Sequence, residues 1–405
     1  MTGTGGAPAK TLSMTQVLLC GAAIVTLSMG IRHGFGLWLT PVTVDRGWSR
    51  EAFAFALAVQ NLAWGVAGPL TGALADRFGA FRVLLAGGAL YALGLVVMGL
   101  STSALGFLGG AGLLLGAAQS GTTYAVIYGV IGRNVAADKR SWAMGITAAA
   151  GSFGQFLMVP IEGGLIAAFG WQEALFILAC AALMILPLAF GLREPRRVES
   201  AAQQQSIGAA LREAIGDRSF RLLTAGYFVC GFQVVFIGVH LPSYLKDQGL
   251  TPAVATTALA LIGLFNVFGT YSAGLLGGKF PKRFLLSAIY ALRSLAIVVF
   301  ILSPLTPTSV YVFASVIGFL WLSTVPLTSG LVAQIYGVRY LSMLGGFVFL
   351  SHQIGSFLGV WLGGRLYDVT GNYNLVWWIS IGLGLFAAAV NLPVREQPLL
   401  RPVAA

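Results

Sequence analysis

Two long apolar runs near the start of the chain are joined by the stretch Gly72-Ala73-Leu74-Ala75-Asp76-Arg77-Phe78-Gly79-Ala80-Phe81-Arg82. Its glycines permit a tight turn and close contact between helices. Asp76 is able to cap a helix and to pair with a basic group across one end of a helical bundle. A weaker copy, Gly274 to Arg283, follows 202 residues later. The pattern predicts a connection between two packed helices that occurs once in each half of the chain.

The composition around this stretch is that of a membrane protein. The 405 residues are 57% hydrophobic and 9% charged, with a mean hydropathy of +0.84, whereas soluble domains average about 25% charged residues. Apolar runs long enough to cross a hydrocarbon core about 30 Å thick recur along the chain. The first run follows the short polar tail 1–13 without an early cleavage site, so we predict a retained helix and not a signal peptide.

The apolar runs and turn signals predict twelve transmembrane helices. They cover residues 16–40, 52–73, 82–101, 105–131, 141–168 and 172–192, and then 219–245, 255–277, 284–303, 309–334, 342–367 and 374–392. We therefore predict an all-α protein with an N-terminal six-helix half (1–192), a polar linker (193–218) and a C-terminal six-helix half (219–405). A surface helix is expected near residues 207–215 of the linker.

Short matches between the halves indicate an internal duplication. Gly47-Trp48-Ser49 corresponds to Gly249-Leu250-Thr251, and Gly151-Ser152-Phe153 recurs as Gly355-Ser356-Phe357. Their offsets of 202 and 204 residues are close to half the chain. A parallel repeat with a pathway between the two halves is a known transporter plan.

The positions of the basic residues predict the orientation. With the N-terminus in the cytoplasm, inner segments hold 18 Lys and Arg and outer loops hold 4, namely Arg46, Arg50, Lys246 and Arg365. This bias favours two cytoplasmic termini. Because it also accounts for the net charge of +11, we expect no nucleic-acid partner.

The sequence lacks the motifs that are typical of several functional classes. Cys20, Cys180 and Cys230 all lie in apolar segments without CxxC or metal-ligand spacing. There is also no phosphate-binding P-loop and no catalytic triad pattern. We therefore expect neither an enzyme nor a cofactor or metal, and we expect the chain to act as a monomer.

The stretch 72–82 resembles the cytoplasmic signature of the major facilitator superfamily, and the predicted twelve helices in two halves agree with that fold. Within the superfamily, Lys139-Arg140-Ser141-Trp142-Ala143-Met144-Gly145, followed by Ala150 to Gly154, is similar to monocarboxylate-transporter-like members. The stretch Phe35 to Pro41 resembles their bacterial branch, which includes oxalate and lactate carriers. The resemblance implies a small organic anion as substrate and places Asp76 and Arg77 at the inner gate.

One position departs from the pattern of the carboxylate carriers. Their eighth helix usually supplies an arginine, often with Asp or Asn one turn earlier. Aligned through Ser272 to Leu275, those positions hold Thr270 and Asn266. The usual anion-binding arginine of the eighth helix is therefore missing, and Asn266 is a candidate for orienting the substrate.

Ionisable side chains at membrane depth are functional candidates because they are costly to insert. Arg32 is the leading candidate for binding the substrate carboxylate, since the first helix lines the pathway in this superfamily. Arg293, in the ninth predicted helix, is a second candidate, although a structural role is favoured there. Buried acid is scarce, and Glu162 is the only carboxylate well inside a predicted span, so a cationic cavity favours an anionic substrate.

The three histidines all lie within predicted spans. His33 and His352 are candidates for carrying a coupled proton, because an imidazole titrates near neutral pH, and ordinary hydrogen bonding is the alternative. His240 lies nearer the outer end, which suits a gate. Tyr124 and Tyr128 are four residues apart and present two hydroxyls on one helix face, either for substrate or for aromatic packing.

We therefore predict a secondary transporter of the bacterial inner membrane that moves a small organic anion, with a monocarboxylate as the leading class and protons as a candidate co-substrate. One alternative is a proton-coupled efflux carrier for drugs or amphipathic metabolites. A second is a transporter-like sensor that binds without net transport.

Overall fold

The chain folds into a bundle of long helices. The computed structural model describes residues 12–136, 140–194, 207–336 and 341–399. Within these ranges, eleven helical segments are long and apolar enough to cross a membrane. The predicted second span is a further helix of 29 residues that packs inside the same bundle. The chain is therefore a multi-pass helical membrane protein, and the described helices follow the predicted spans closely.

Before the linker, the helices are α1 (Met14–His33), α2 (Leu39–Arg46), α3 (Arg50–Phe78), α4 (Ala80–Leu100), α5 (Ala104–Phe107), α6 (Leu115–Thr122), α7 (Tyr124–Asn134), α8 (Arg140–Phe169), α9 (Trp171–Leu183) and α10 (Ile185–Phe190). The 3₁₀-helix Gly34–Trp38 joins α1 to α2, and the π-helix Leu108–Leu114 joins α5 to α6. The first and fourth spans therefore each consist of several shorter helical segments.

After α11 (Ile207–Gly216), the helices are α12 (Arg218–Asp247), α13 (Pro252–Gly277), α14 (Lys282–Leu302), α15 (Pro307–Leu320), α16 (Thr324–Tyr336), α17 (Leu341–Thr370) and α18 (Asn374–Asn391). We call α1–α10 the N-terminal half and α12–α18 the C-terminal half. The tenth span is interrupted between α15 and α16. The predicted helix near residues 207–215 is confirmed as α11, whereas linker residues 195–206 lie outside the described ranges.

The predicted loop between the second and third spans is shorter than the sequence suggested. Helix α3 continues to Phe78, and α4 begins at Ala80. Gly79 makes the turn alone, with a φ of +90° that other residues rarely adopt, and its N–H donates to the Ala75 carbonyl at 3.0 Å. Asp76 and Arg77 therefore belong to the last turns of α3, and their side chains lie outside the described part of the structure.

Helix pairs repeat between the two halves. Helix α1 packs on α8 as α12 packs on α17, α4 packs on α9 as α14 packs on α18, and α3 packs on α6 as α13 packs on α15. These pairs occupy equivalent positions in the two halves of the sequence. The packing thus has the symmetry that a duplication produces.

Two helix pairs form the main contact between the halves, α3 with α17 and α8 with α13. Small residues allow the close approach in both, since an added Cβ at Gly263 would lie 2.7 Å from the Phe156 backbone and one at Gly364 would lie 2.7 Å from Ala54. We call the end of the bundle that holds Arg50 and Asp247 the Arg50 end. It is the end at which the described contacts between the halves include ion pairs.

Candidate substrate site and gate

Arg32 lies near the middle of the first span, in the last turn of α1, and its side chain is partly exposed. Its Nη2 donates a hydrogen bond to Asn61 Oδ1 on α3. The guanidinium carbon also lies 5.0 Å from the centre of the Trp64 ring, in a cation–π contact. Nε is buried and has no hydrogen-bond partner among the described residues. The cation is thus held by an amide and an aromatic face, with donor capacity left over.

The surroundings of Arg32 continue into the C-terminal half. Trp64 meets Phe349 edge to face at a centroid distance of 5.2 Å, and Phe349 stacks on His352 at 5.8 Å. The amide of Gln353 donates to the Asn61 carbonyl at 3.0 Å. A continuous set of polar and aromatic side chains therefore connects Arg32 on one half with His352 on the other.

The two histidines proposed for proton handling lie in different surroundings. His33 is 8% exposed, meets Trp321 edge to face at 6.1 Å, and its Nε2 has no partner among the described residues. His352 Nδ1 lies 3.0 Å from Gln353 Oε1, and its ring packs against Tyr227 at 5.0 Å. Both rings lie close to the boundary between the halves, and their proton role stays a prediction.

Tyr124 and Tyr128 pack against each other, with ring centroids 5.6 Å apart. The Tyr124 hydroxyl lies against Gly151 of α8, where an added Cβ would come within 2.1 Å, and beside Val25 of α1. Val25 lies about 10 Å from Arg32 along the axis of α1, toward the N-terminal end of that helix. The pair therefore lies in the N-terminal half, toward the end opposite Arg50, and substrate binding by these hydroxyls stays a prediction.

Asn266 is fully buried and connects three elements. Its Nδ2 lies 3.2 Å from Ser152 Oγ and 3.4 Å from Gln155 Oε1, both on α8 of the other half. Its Oδ1 accepts from Thr270 at 3.1 Å and from the Leu322 N–H at 3.1 Å. These contacts use the amide to join the halves and to support the interruption in the tenth span.

Arg293 is 1% exposed and stabilises the same interruption of the tenth span. Its Nε and Nη2 donate to the Leu320 carbonyl at 3.1 and 2.7 Å, and Nη2 also donates to the Trp321 carbonyl. These carbonyls belong to the end of α15, where helical partners are missing. The contacts fit the structural role that the sequence favoured, and only Nη1 lacks a described partner.

Arg50 closes one end of the bundle. Its two terminal nitrogens donate to the two oxygens of Asp247 at 2.6 Å each, and Nη1 donates to the Tyr373 hydroxyl at 3.0 Å. The guanidinium carbon also lies 3.9 Å from the Tyr367 ring centre. A bidentate ion pair of this kind is strong and geometrically specific, and here it connects α3 to α12.

Further contacts surround this ion pair. The backbone amides of Arg50 and Glu51 donate to Asp368 at 3.2 and 2.8 Å, and Glu51 pairs with Arg365 at 3.1 Å. His240 lies just inside, with Nδ1 3.2 Å from the Tyr373 hydroxyl and Nε2 2.8 Å from the Val360 carbonyl. His240 and Arg50 both contact the Tyr373 hydroxyl, which agrees with a gate role for His240 that stays a prediction.

Two grooves lie away from Arg32. One of about 440 Å³ is lined by Phe228, Thr224 and Ser351 among others, and one of about 450 Å³ lies along α3 and α4. Both are mostly apolar, and neither is lined by Arg32, His33 or His352. Charge and polar contacts, and not cavity volume, therefore identify the candidate site.

Sequence reasoning missed Asn61, Trp64 and Gln353 as parts of the site. A usable signal was present, because the amides Gln60 and Asn61 interrupt an apolar run at membrane depth. The contacts of Gln353 could not be found this way, since its partner lies 292 residues away.

A carrier needs a binding group that is reachable from one end of the bundle while the other end is closed. Here a central cation lies between two packed halves, and ion pairs close the Arg50 end. The fold and site thus define a membrane transporter. The chain belongs to the Major Facilitator Superfamily, whose profile matches residues 18–340. It is accordingly a transporter and not an enzyme.

Known proteins similar to the chain are other transporters. An uncharacterized MFS-type transporter of Bacillus subtilis (strain 168), YcxA, is 23% identical, with 90% of this chain and 91% of the relative covered. Monocarboxylate transporter 11 of Mus musculus is 28% identical over 87% of this chain and 80% of the relative. The oxalate:formate antiporter of Oxalobacter formigenes is 23% identical over 95% and 94%.

The fold is also similar to that of a solved transporter. A bacterial homolog of the human lysosomal transporter Spinster, in an inward-facing and unoccupied conformation, superposes with a TM-score of 0.71 and 17% identity. The match covers 96% of this chain and 95% of that one. The comparison confirms the predicted fold.

Proposed function

We propose that the protein carries a small organic anion, a monocarboxylate in the first instance, by alternating access between its two halves. The observation that carries this proposal is the state of Arg32. Its described partners are an amide oxygen and a ring face, and no ion pair to it is found among the described residues. The central positive charge is available to a ligand.

The donor geometry suits a carboxylate. Asn61 holds one terminal nitrogen of Arg32, and the buried Nε has no partner among the described residues. A guanidinium presents paired N–H groups that match the two oxygens of a carboxylate. Because Arg293 donates to backbone carbonyls, Arg32 is the one central cation left for a ligand among the described residues, which favours one carboxylate over two. Relatives named as monocarboxylate transporters and as an oxalate:formate antiporter support the same class.

The closed Arg50 end supplies the conformational half of the proposal. From the basic-residue bias we infer that this end faces outside and that both termini are cytoplasmic, in a protein of the bacterial inner membrane. The structure then corresponds to a carrier closed toward the outside. Neutralising Arg32 with the substrate charge lowers the cost of moving the site between the two open states. Coupling to protons is part of the proposal, and His33 and His352 are the candidates for it that the sequence predicts.

Ligand-dependent thermal stabilisation tests the substrate class. The purified protein is heated with acetate, L-lactate, pyruvate, formate or oxalate, and with glycerol and tetraphenylphosphonium as neutral and cationic controls. We expect stabilisation by monocarboxylates alone, lost in Arg32→Ala. Arg46→Ala is the matched control, because Arg46 lies at the end of the same span, 5.1 Å from the Trp171 ring centre.

Two results would contradict the proposal. Stabilisation by amphipathic non-anions, indifferent to Arg32, would favour an efflux carrier that uses the aromatic side chains Trp64, Trp321 and Phe349. Stabilisation by a carboxylate without exchange of that carboxylate in proteoliposomes would favour a sensor. Radiolabelled lactate exchange across vesicles of bacterial lipid separates the last case from a carrier.

A further inference from the structure

Glu162 is a buried carboxyl group that takes no part in the contacts of Arg32 or in the ion pairs of the Arg50 end. It lies on α8 and is 0% exposed. Neither of its carboxyl oxygens has a hydrogen-bond partner among the described residues. An ionised carboxylate in such a place is very costly unless it is paired, and the group takes up a proton instead. The site therefore suits the neutral acid in this conformation.

The chain makes room for this carboxyl group in the first span. A Cβ on Gly34 would lie 1.4 Å from Glu162 Oε2 and 2.5 Å from its carboxyl carbon. Gly34 has a φ of −79°, which any residue adopts, so its backbone conformation does not require glycine. Glycine is required here because the Glu162 carboxyl group occupies the space that a side chain would need. The carboxyl group thus lies directly against the junction between α1 and the 3₁₀-helix.

The charged and titratable groups around Glu162 come from few elements. On α1, the two residues immediately before Gly34 are the ionisable Arg32 and His33. Tyr91 of α4 lies near enough to interact electrostatically with both Glu162 and Arg32, and its hydroxyl donates to the Ser28 carbonyl at 2.9 Å. Helix α13 packs against the neighbouring Gly163 through Thr256.

The remaining neighbours of α8 carry their titratable groups farther away. Glu173 of α9 is exposed at the start of its helix. Tyr124 of α7 packs at Gly151, about 16 Å earlier along α8. Tyr271 of α13 is exposed and far along that helix from Thr256. The 3₁₀-helix Gly34–Trp38 has no titratable side chain. Among the described residues, Arg32 and His33 are therefore the basic side chains nearest in sequence to Gly34, the residue that Glu162 lies against.

We propose that Glu162 is the group that binds and releases the co-transported proton. The inference rests on the proposed function and replaces the histidines as the primary proton site. With its proton, Glu162 is neutral and Arg32 is free to hold the anion. Without its proton, the carboxylate is drawn to Arg32 and competes with the substrate. The anion then binds well only when the proton is already bound. This coupling makes the proton and the anion cross the membrane in the same direction.

The junction at Gly34 provides the moving part. Helix α1 ends at His33, and the next five residues form the 3₁₀-helix. A short 3₁₀ segment within a span is a common place for a hinge. A shift of this junction relative to α8 changes the surroundings of Glu162 and its separation from Arg32 in the same step. Proton release thus accompanies the movement that alternates access.

Infrared spectroscopy tests the protonation directly and needs no substrate. The carbonyl stretch of a protonated carboxylic acid is recorded at neutral pH for the wild-type protein and for Glu162→Gln in lipid vesicles. We expect a band in the wild type that is lost in Glu162→Gln and kept in Glu173→Gln, the matched exchange at an exposed site. Identical wild-type and Glu162→Gln spectra would overturn the inference. Glu162→Gln should keep its thermal stability, because glutamine resembles the neutral acid.

Transport tests the coupling. In proteoliposomes, Glu162→Gln should lose L-lactate uptake driven by a pH gradient by about tenfold or more, while lactate exchange at equal pH is kept. Gradient-driven uptake that persists in Glu162→Gln would place the proton site elsewhere. If the wild type neither binds nor exchanges any of the five carboxylates, the proposed function fails, whereas the infrared band still decides whether Glu162 is protonated.

Discussion

The chemistry of the candidate site depends on a neutral amide beside Arg32. Asn61 Oδ1 accepts from the guanidinium, and Asn61 Nδ2 donates to the Leu57 carbonyl at 2.7 Å. This arrangement orients Arg32 without cancelling its charge. A carboxylate at the same position would make a buried ion pair and remove the attraction for an anionic ligand.

Asn61→Asp tests this charge argument at a single residue. We expect its lactate affinity at neutral pH to fall by about tenfold or more, because the new carboxylate pairs with Arg32. At acidic pH the aspartate takes up a proton and affinity should recover. Asn61→Ala, which loses the hydrogen bond without adding charge, is the control and should bind more weakly at every pH. Equal pH dependence in the two variants would contradict an anion site at Arg32.

The fit of Glu162 against Gly34 predicts a specific non-additivity. Gly34→Ala should destabilise the protein by about 1–3 kcal/mol, because the new methyl group overlaps the carboxyl. In Glu162→Ala, which removes that carboxyl, the same Gly34→Ala change should cost much less. The apparent melting temperatures of the wild type, both single variants and the double variant measure the difference. Equal costs in the two backgrounds would show that the two residues do not share this space.

At the scale of elements, interrupted helices are supported by side chains from their neighbours. The tenth span breaks between Leu320 and Thr324. Arg293 donates to the freed carbonyls on one side, and Asn266 accepts from the Leu322 N–H on the other. Free backbone groups within a membrane must find such partners, because lipid offers none. Arg293 and Asn266 therefore stabilise the break by bonding backbone groups that it leaves free.

Arg293→Lys tests whether this arginine supports the break or binds the anion. Lysine keeps the charge but cannot donate through a planar fork to two successive carbonyls. We expect a destabilisation of about 1–3 kcal/mol in a thermal unfolding scan. The dissociation constant for lactate should stay within about twofold of the wild type. Weakened lactate binding with unchanged thermal stability would assign Arg293 to the substrate instead.

At the scale of the whole molecule, the Arg50 end holds the two halves in one arrangement. The Arg50 and Asp247 side chains are 13% and 26% exposed, so their ion pair is partly shielded from water. Asp368 and Glu51 add contacts between α3 and α17 around it. Opening this end requires all of these contacts to separate together, which makes the closure cooperative.

Asp247→Asn should shift the protein toward the state open at the Arg50 end. Losing a charge-assisted pair of hydrogen bonds costs the closed state about 1–3 kcal/mol, or roughly a tenfold change in population. Spin labels at Val44 and Ala253, exposed on opposite halves at this end, report the distance by double electron–electron resonance. The three native cysteines are first replaced by alanine.

The expected result is a longer distance component that is more populated in Asp247→Asn than in the parent. Asp45→Asn is the control, because Asp45 lies in the same region and pairs weakly with its neighbour Arg46 at 3.8 Å. If Asp247→Asn and Asp45→Asn give the same distance distribution as the parent, the Arg50 pair does not govern opening.

Much of the architecture could be predicted because it is local in the sequence. Each span is a run of apolar residues, and its position depends on the cost of placing that run in water or lipid. The stretch 72–82 indicated the superfamily, and its Gly79 makes the turn between α3 and α4. The helix breaks at Gly34 and after Leu320 were not predicted, because apolar residues continue through both of them.

From the sequence alone it follows that the chain is a membrane protein, where its spans lie and which superfamily it resembles. The sequence also identifies Arg32 as a rare charge at membrane depth. Which polar groups meet depends on the packing of the helices in three dimensions. Arg50 reaches Asp247 across 197 residues, Gln353 reaches Asn61 across 292, and Glu162 comes to rest against Gly34. The physical reason is that a helix places each side chain by its rotation about the axis. That rotation is set by small-residue packing between helices and by breaks such as the one at Gly34, which a hydropathy pattern does not record.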